Sequence, residues 1–571
     1  MAGSTHPANT GRSVETARRK LTLPPGISLH QFERAMDDLR SFMGTEHIEI
    51  NDGPLNDGDY YHTALSHDSY SVMERDYFIA SAVVSPGSTA DVQAIVRWAN
   101  KWKIPLWPVS IGRNLGYGGA APRVPGSVVM NMGLRMNQIL NVDEHTATCV
   151  LQPGVTYVGL YEHLKKIGLG DKLLIDVPDL GGGSVMGNAL DRGVGYTPMG
   201  DHWGNHCGME VVLPNGEVVR TGMDALPGSN CGQSYQHNFG PSVDGIFSQA
   251  SNGIVTRMGF WLMPNPGGML PFMITFKHRD DLIDAVDTLR PMMLSRLLGN
   301  IPSLRLGMWD AATYGSKSDY WPEHGGRPVP EDIEDRILEQ EDLGAWVFYG
   351  ALYGPDSITA PTWEVVKSKF AHIKDVRFQL REDVPERSYL HDRAAVFAGV
   401  PTWRELDWHR WVPNAGELFF APISPVSGVD AKKQVGMCKA RCIEYGFDYL
   451  GTFYIAAREM HHIVTILFDR AKPEERRRAE KLLRVLIDDA AKLGYGEYRT
   501  HIALGDQVAG TYNWNNNALM RLNETIKDAL DPNGIMQPGR SGVWPKSYRG
   551  QGWELDGVNP PKVVRPSDGK L

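Results

Sequence analysis

Two periodicities of hydrophobic and polar positions alternate along the first half of the chain. Apolar residues three or four positions apart predict a helix over residues 28–43, whose buried face carries Phe32, Met36, Leu39 and Met43. A continuous apolar run at residues 79–84 is typical of a buried strand. The chain therefore begins with mixed helical and strand structure.

The next predicted helix begins after Ser88, whose side chain can cap it. Asp91 stands at the third position of a capping box, and apolar residues follow at helical spacing. A second apolar run, residues 104–109, predicts another strand. The order strand, helix, strand is typical of α/β structure.

More elements of both kinds follow. Strands are predicted at residues 128–130, 146–152, 209–213 and 217–220, and a helix at residues 158–167 ends at Gly168. Asn215-Gly216 lies between the last two strands and is a strong hairpin signal.

Residues 264–268, Pro-Asn-Pro-Gly-Gly, interrupt the pattern of helices and strands and predict a domain boundary. Beyond it the strands are predicted at residues 272–276, 347–352, 418–424, 453–457 and 463–468, and the helices at residues 280–290, 432–445, 473–493 and 518–530. This alternation predicts a second α+β domain with a sheet that can cover a cavity.

Composition narrows the functional class. The 571 residues are too many for one core, so at least two domains are expected. A net charge of −9 argues against a nucleic-acid partner and against a basic membrane-binding surface. Five cysteines at spacings that fit no zinc pattern predict no metal site and indicate a reducing compartment. We find no apolar run that could span a bilayer and no signal peptide.

Two glycine-rich turns carry the candidate chemistry, at residues 107–119 and 175–188. Four glycines fall within eight residues of the first turn, and Arg113 adds a positive charge. Glycine allows a backbone to approach a ligand closely, and consecutive N–H groups can converge on an anion. The first turn alone is consistent with a pyrophosphate cradle or with an ordinary surface loop. It matches neither the Walker loop nor the GxGxxG pattern.

Six sequence blocks together carry a resemblance to a known family, and they lie at residues 110–123, 176–185, 192–198, 458–463, 496–501 and 511–516. The chain resembles the vanillyl-alcohol oxidase and p-cresol methylhydroxylase flavoprotein family, which includes eugenol oxidase, from about residue 20 to about residue 550. The resemblance implies an α+β fold of two domains. A flexible arm (1–25) would precede an FAD-binding domain of the p-cresol methylhydroxylase type (26–268), a cap domain over the active site (269–495) and a return to the FAD domain (496–571).

The resemblance also implies an activity. FAD-dependent oxidases of this family take para-substituted phenols, such as 4-hydroxybenzyl alcohols and 4-alkyl- or 4-allylphenols. A hydride passes from the benzylic carbon to flavin N5, the phenol becomes a p-quinone methide, and O₂ is reduced to H₂O₂. A dehydrogenase or hydroxylase with another electron acceptor, and a flavin-binding relative with little activity, are the alternatives.

The family's functional positions map onto this chain residue by residue. Tyr117, Tyr498 and Arg499 match the trio that binds the phenolate, and Asp179 matches the carboxylate beside flavin N5. An ordinary loop tyrosine, a strand end and a helix-capping aspartate are the alternatives for these residues. Other matched cavity positions are Tyr196, Phe419, Thr452, His461, Ile463, Arg305 and Arg393. The implied cofactor contacts are Ser110, Ile111, Gly112, Arg113, Asn114, Gly116, Tyr117, Pro178, Asp179, Gly181, Gly182, Gly183, Ser184, Gly187, Asn188, Gly253, Ile254, Val255 and Arg499.

The chain departs from the family at the covalent flavin link. Glu417 stands where the family has its tethering residue, and Tyr70 stands in place of the histidine that assists tethering. We therefore expect non-covalent FAD. The loop after Leu226 is short. The oxidase that the chain resembles has a longer loop there, which is linked to oligomers larger than a dimer, so we predict a homodimer. The C-terminal Gly-Lys-Leu weakly matches a peroxisomal signal, so we expect a cytoplasmic or peroxisomal protein.

Overall fold

A computed structural model describes residues 20–56, 64–70, 72–74 and 76–557 of the chain. The N-terminal arm lies mostly outside the described residues, and the C-terminal Gly-Lys-Leu lies wholly outside them. No helix in these ranges is both long enough and apolar enough to cross a membrane.

Helices and strands alternate throughout. The α-helices are α1 Leu29–Met43, α2 Thr89–Trp102, α3 Tyr157–Lys166, α4 Val185–Leu190, α5 Asp281–Leu294, α6 Gly307–Tyr314, α7 Lys317–Tyr320, α8 Glu331–Gln340, α9 Asp356–Phe370, α10 Tyr389–Phe397, α11 Gly428–Glu444, α12 Pro473–Lys492, α13 Gly505–Thr511 and α14 Trp514–Leu530. The strands are β1 Ile48–Ile50, β2 Ala82–Val84, β3 Leu106–Val109, β4 Val128–Asn131, β5 Ile139–Asp143, β6 Thr148–Leu151, β7 Leu173–Leu174, β8 His206–Val212, β9 Val218–Arg220, β10 Ile254–Trp261, β11 Met263–Pro264, β12 Met269–Phe276, β13 Ser303–Leu306, β14 Trp346–Tyr353, β15 Arg377–Leu380, β16 Ala415–Phe420, β17 Ile423–Pro425, β18 Leu450–Ile455 and β19 Glu459–Asp469.

The first domain holds two sheets. One has the strand order β1-β2-β4-β3 and contains parallel pairs, and the other has the order β5-β6-β10-β8-β9 and is antiparallel. Helices α1 and α2 pack their apolar faces on the first sheet. Ser88 accepts a hydrogen bond from the Asp91 N–H, so the predicted cap of α2 is confirmed, and Ser28 caps α1 in the same way by accepting from the Gln31 N–H.

The last part of the chain returns to the first domain. The Leu106 N–H donates to the Ile535 carbonyl at 2.7 Å, and the Gln537 N–H donates to the Leu106 carbonyl at 2.9 Å. The buried Lys527 ammonium donates to the Met536 and Ser251 carbonyls and pairs with Asp531. These bonds hold the tail against the strand that leads into the first glycine turn.

The second domain is built on one large antiparallel sheet. Its strand order is β15-β12-β14-β13-β18-β19-β16, and β17 also pairs with β19. The predicted boundary at residues 264–268 precedes β12, the first strand of this sheet. The predicted two-domain α+β fold is confirmed.

The prediction of one strand over residues 418–424 is wrong. The structure divides this segment into β16, which ends at Phe420, and β17, which begins at Ile423. Proline has no backbone N–H for a strand ladder, so Pro422 interrupts the pairing. The interruption brings Ala421 to the Tyr498 N–H, which donates to its carbonyl at 3.4 Å.

Candidate active site

The two glycine turns face each other across a cavity of about 240 Å³. A Cβ atom on Gly187 would lie 2.4 Å from the Ser110 hydroxyl oxygen, so only glycine permits this approach. The Arg113 guanidinium in the first turn donates to the Gly182 carbonyl in the second at 2.5 Å. We call this space the glycine-turn cavity.

Most of the predicted cofactor contacts line the glycine-turn cavity. They are Ser110, Ile111, Gly112, Arg113, Asn114, Gly183, Ser184, Gly187, Asn188, Gly253, Ile254, Val255 and Arg499. Glycine-rich backbone from both turns, the Arg113 cation and apolar walls from β10 suit a ligand with both phosphate and aromatic parts. The residues present therefore fit FAD.

Three of the predicted cofactor glycines lie elsewhere. Gly116, Gly181 and Gly182 do not line the cavity walls. A Cβ on Gly116 would meet Phe419 at 2.7 Å, and one on Gly181 would meet Pro401 at 2.4 Å. Gly116 and Gly181 thus allow the turns to pack against the second domain.

A second cavity, of about 180 Å³, continues from the first. Arg113, Asn114, Gly183, Asn188 and Arg499 line both cavities. We call the second space the aromatic cavity, because its wall includes the side chains of Tyr117, Tyr196, Trp309, Trp408, Phe419, Tyr454 and Tyr498. Predicted cavity residue Ile463 also lines it, as do Pro178 and Asp179.

One end of the aromatic cavity is cationic. The Arg499 guanidinium donates to the Tyr117 hydroxyl at 3.1 Å and lies 4.3 Å from the centre of that ring. Tyr498 is its chain neighbour and lines the same wall. In the described chain Arg499 forms no ion pair with an acidic side chain, so its charge is available to an anionic ligand.

The predicted trio is therefore together in space. Burial raises the pKa of the Tyr117 phenol, although the Arg499 charge opposes the shift. Tyr117 stays a neutral hydrogen-bonding group at neutral pH. Its ring stacks on Phe419 with the centroids 5.3 Å apart, which fixes its orientation.

Asp179 is the most heavily bonded acid in the aromatic cavity. Arg393 pairs with one carboxylate oxygen, and the hydroxyls of Tyr196 and Tyr454 donate to the other. Burial alone would raise the pKa of Asp179, but Arg393, Glu405 and Tyr196 together hold it below its ordinary value. Asp179 is therefore an ionised carboxylate on the cavity wall.

The sequence analysis missed Glu405, which also lines the aromatic cavity. Burial raises the pKa of Glu405 well above its ordinary value, and the negative charge of Asp179 adds to the shift. The pKa values of the two carboxyl groups move in opposite directions, so the proton is favoured on Glu405 and the negative charge on Asp179. The nearest sequence signal is the tryptophan-rich segment 403–411, but it holds two acids, Glu405 and Asp407, and does not single out either.

Four predicted cavity residues do not line the aromatic cavity. Arg393 holds Asp179 from behind, and Arg305 pairs with Asp310 and Glu405 at 3.1 and 3.2 Å. Thr452 donates to the Leu304 carbonyl within the sheet, and the His461 ring packs edge-on against Tyr498 at 4.8 Å. Their positions indicate support for the cavity wall rather than ligand contact.

Glu417, at the expected tether position, lines the aromatic cavity and is fully buried. The Trp408 indole donates to its carboxylate at 2.9 Å, and a His409 ring nitrogen lies 2.9 Å from the same oxygen. Tyr70 contacts the His409 ring edge-on at 5.8 Å. Glu417 is therefore held by an imidazole and an indole on the cavity wall.

A third cavity, of about 480 Å³, lies beside the tail and contains the buried Glu497. Burial raises the pKa of Glu497 to about 8. The folded protein keeps this proton up to about pH 8, whereas the unfolded chain loses it near the ordinary value of 4.5. The folded state binds more protons in that window, so the free energy of unfolding falls as the pH rises.

We predict that Glu497→Gln removes this loss of stability. Each pH unit should cost the native protein at most about 1.4 kcal/mol, and the variant should be more stable at pH 8.5. The measurement is the melting temperature of the FAD-loaded protein between pH 6.5 and 9, with the exposed Glu217→Gln as control. A variant that follows the native curve would contradict the assignment.

The comparisons with known proteins agree with this geometry. Residues 80–222 match the FAD binding domain model, and residues 412–541 match the C-terminal domain model of FAD linked oxidases. The flavoprotein subunit of 4-cresol dehydrogenase (hydroxylating) from Pseudomonas putida is 36% identical over 522 residues, which cover 91% of this chain and 97% of the relative. The 1'-carboxy-chondrochloren decarboxylase from Chondromyces crocatus is 29% identical over 90% of this chain and 98% of its own.

Solved structures show the same likeness. The 4-ethylphenol oxidase from Gulosibacter chungangensis, in an isoeugenol complex, is 42% identical with a TM-score of 0.88, over 92% of this chain and all of that one. The p-cresol methylhydroxylase with substrate bound is 34% identical with a TM-score of 0.86, over 91% and 99% of the two chains. The chain is a member of the FAD-linked oxidoreductase family of the p-cresol methylhydroxylase type.

Proposed function

We propose that this protein oxidises para-substituted phenols at the benzylic carbon with bound FAD. One observation carries the proposal: Arg499, a cation without an acidic partner in the described chain, and the carboxylate Asp179 line one aromatic cavity. That cavity is continuous with the glycine-turn cavity. A phenol ring beside the cofactor would find a cation for its oxygen and an anion for its benzylic carbon.

Bound FAD supplies a two-electron acceptor for the hydride. The two glycine turns would hold its phosphates through backbone N–H groups, with Arg113 as the neighbouring cation. The aromatic walls would make the surroundings of the phenol less polar than bulk water. Less polar surroundings strengthen each electrostatic interaction inside the cavity.

Arg499 and Tyr117 would bind the substrate as a phenolate. A guanidinium and a hydroxyl donor that bond to the oxygen lower the pKa of the bound phenol. The extra electron density on the ring then stabilises the cation that hydride loss leaves at the benzylic carbon. Tyr498 provides the second hydroxyl at this end.

Asp179 would stabilise that cation by charge. Its lowered pKa makes it a weak proton acceptor by itself, so electrostatic stabilisation is its main role. The proton held on Glu405 keeps the pair at a single negative charge. The quinone methide then adds water, or loses a proton, to give the product.

The substrate class that we propose is 4-hydroxybenzyl alcohols and 4-alkyl- or 4-allylphenols, with O₂ as the electron acceptor. The similar 4-ethylphenol oxidase supports O₂, whereas the similar 4-cresol dehydrogenase supports the alternative of another acceptor. A flavin-binding relative with little activity is a further alternative. The retained Arg499, Tyr117 and Asp179 geometry argues against it.

The test is anaerobic reduction of the FAD-loaded protein by 4-ethylphenol, vanillyl alcohol and eugenol. Bleaching of the flavin absorbance supports the proposal, and no bleaching with any para-phenol would refute it. The matching 4-methoxy compounds are the control, since they cannot form a phenolate. Hydrogen peroxide formed on addition of air distinguishes an oxidase from a dehydrogenase.

We further propose that FAD is bound non-covalently, because Glu417 occupies the tether position and is held by Trp408 and His409. Acid precipitation should leave a colourless pellet and a yellow supernatant. Without a tether the reduction potential should also be lower, and turnover slower, than in a covalently linked relative. Yellow colour that stays with the pellet would contradict this prediction.

We also propose a homodimer, on the basis of the short loop after Leu226. Light scattering coupled to gel filtration should give twice the chain mass of 63.4 kDa. An octamer would contradict the prediction. A cytoplasmic or peroxisomal location remains part of the same proposal.

A further inference from the structure

A buried imidazole connects the core of the first domain to the cofactor cavity. His202 is completely buried, and its Nε2 lies 2.5 Å from the Asp176 Oδ2. Its Nδ1 lies 2.6 Å from the Asn188 Oδ1 and 3.0 Å from the Tyr157 hydroxyl. The other Asp176 oxygen accepts a hydrogen bond from the Thr197 N–H at 2.7 Å.

Two glycines make room for this arrangement. A Cβ on Gly195 would lie 1.3 Å from the Asp176 Oδ2 and 2.6 Å from the His202 Nε2. A Cβ on Gly193 would lie 2.1 Å from the Asn188 Oδ1. The chain therefore keeps both positions free of side chains where the acid, the imidazole and the amide meet.

The partners define the protons on the imidazole. Nε2 must carry a proton to bond to the Asp176 carboxylate, and Nδ1 must carry one to bond to the Asn188 oxygen. His202 thereby links the Asp176 carboxylate to the Asn188 amide oxygen. The other titratable groups near it are phenols: Tyr157 from α3, and Tyr353 from β14, whose pKa is raised by burial and by the Asp176 charge.

The Asn188 amide nitrogen consequently faces away from His202. Asn188 lines both the glycine-turn cavity and the aromatic cavity. Within the described chain its amide nitrogen has no hydrogen-bond partner, so it is a free donor where the two cavities join. An amide without such an anchor could present either its oxygen or its nitrogen.

We propose that His202 is a positioning residue that, locked by Asp176, fixes the Asn188 carboxamide with its NH₂ group towards the bound flavin. A donor at this place stabilises the negative charge that the ring gains on reduction. The pair would therefore raise both the affinity for FAD and the reduction potential. The proposal depends on FAD binding and not on the identity of the phenol.

The test is a double-mutant cycle with His202→Gln, Asn188→Ala and the double variant. Loss of one hydrogen bond should raise the dissociation constant for FAD about 2- to 10-fold. Each single variant should also make the flavin midpoint potential more negative, measured at equilibrium with a reference dye. Because His202 acts through Asn188, adding His202→Gln to Asn188→Ala should change neither quantity further.

Tyr157→Phe is the matched control, since it removes the other partner of the same ring nitrogen and leaves the Asn188 bond. It should leave the affinity for FAD within about 2-fold of the native value and the midpoint potential unchanged. Melting temperatures of all variants separate loss of folding from loss of the donor. The proposal would be overturned if His202→Gln changed the dissociation constant for FAD equally in the native and the Asn188→Ala backgrounds. It would also be overturned if neither single variant shifted the midpoint potential. The outcome does not depend on phenol oxidation, because neither measurement uses a phenol.

Discussion

Asp179→Asn should slow anaerobic reduction of the flavin by a saturating para-phenol roughly 10²- to 10⁴-fold. The substitution keeps the shape of the side chain but removes the negative charge that faces the benzylic carbon. Binding of the phenol should change much less, because the cation for its oxygen remains at Arg499. Stopped-flow absorbance with 4-ethylphenol gives the reduction rate and the dissociation constant separately.

Asp310→Asn is the matched control for this variant. Asp310 is also buried, pairs with Arg305 at 3.1 Å and accepts a hydrogen bond from Tyr349 at 2.8 Å, but it does not line the aromatic cavity. Both substitutions remove a counterion from a buried arginine, at a cost of up to ~3–5 kcal/mol. Loss of rate in both would indicate a general effect of instability, and an unchanged rate in Asp179→Asn would refute the assigned role.

The first glycine turn could be predicted from sequence because its backbone conformation is local. Gly112 and Gly116 adopt φ values of +73°, which only glycine adopts at low cost. Helices α1 and α2 were predictable for a similar reason, since each begins at a serine cap followed by a regular apolar face. Such features need no knowledge of distant residues.

The environment of Asp179 could not be predicted in this way. Its partners Arg393 and Tyr454 lie 214 and 275 residues further along the chain. Only the packing of the second domain on the first brings them to the carboxylate. The resemblance identified Arg393 as a cavity residue, but only the structure shows that it acts as the counterion of Asp179 from outside the cavity.

Glu405 escaped prediction because its segment has no periodicity. Residues Arg404–Trp411 form a 3₁₀ helix with aromatic and charged residues on several sides. The segment has two acids, Glu405 and Asp407, and two arginines, and nothing in the sequence distinguishes Glu405 from its charged neighbours. The structure buries Glu405 against Asp179 and Arg305, and this burial raises its pKa well above the ordinary value of a glutamate.

Arg499→Gln should make phenol oxidation strongly dependent on pH. In the native protein the guanidinium lowers the pKa of the bound phenol, so the phenolate forms near neutral pH. Without it the phenol must ionise unaided, with an ordinary pKa of about 10. We expect flavin reduction at pH 7 to fall roughly 10²- to 10³-fold and then to rise about tenfold per pH unit.

Phenols with electron-withdrawing substituents provide the decisive comparison. They ionise at lower pH, so the ratio of the native rate to the Arg499→Gln rate should be smaller with them than with 4-ethylphenol. Comparing the two proteins on the same phenol cancels the direct effect of the substituent on hydride loss. Arg192→Gln serves as control, because Arg192 lines the cavity beside the tail and not the aromatic cavity. Arg499 also lines the glycine-turn cavity, so rates are compared per bound flavin. High pH and acidic phenols both ionise the substrate without help from Arg499. If the rate of Arg499→Gln stays low under both conditions, Arg499 does not act by promoting formation of the phenolate.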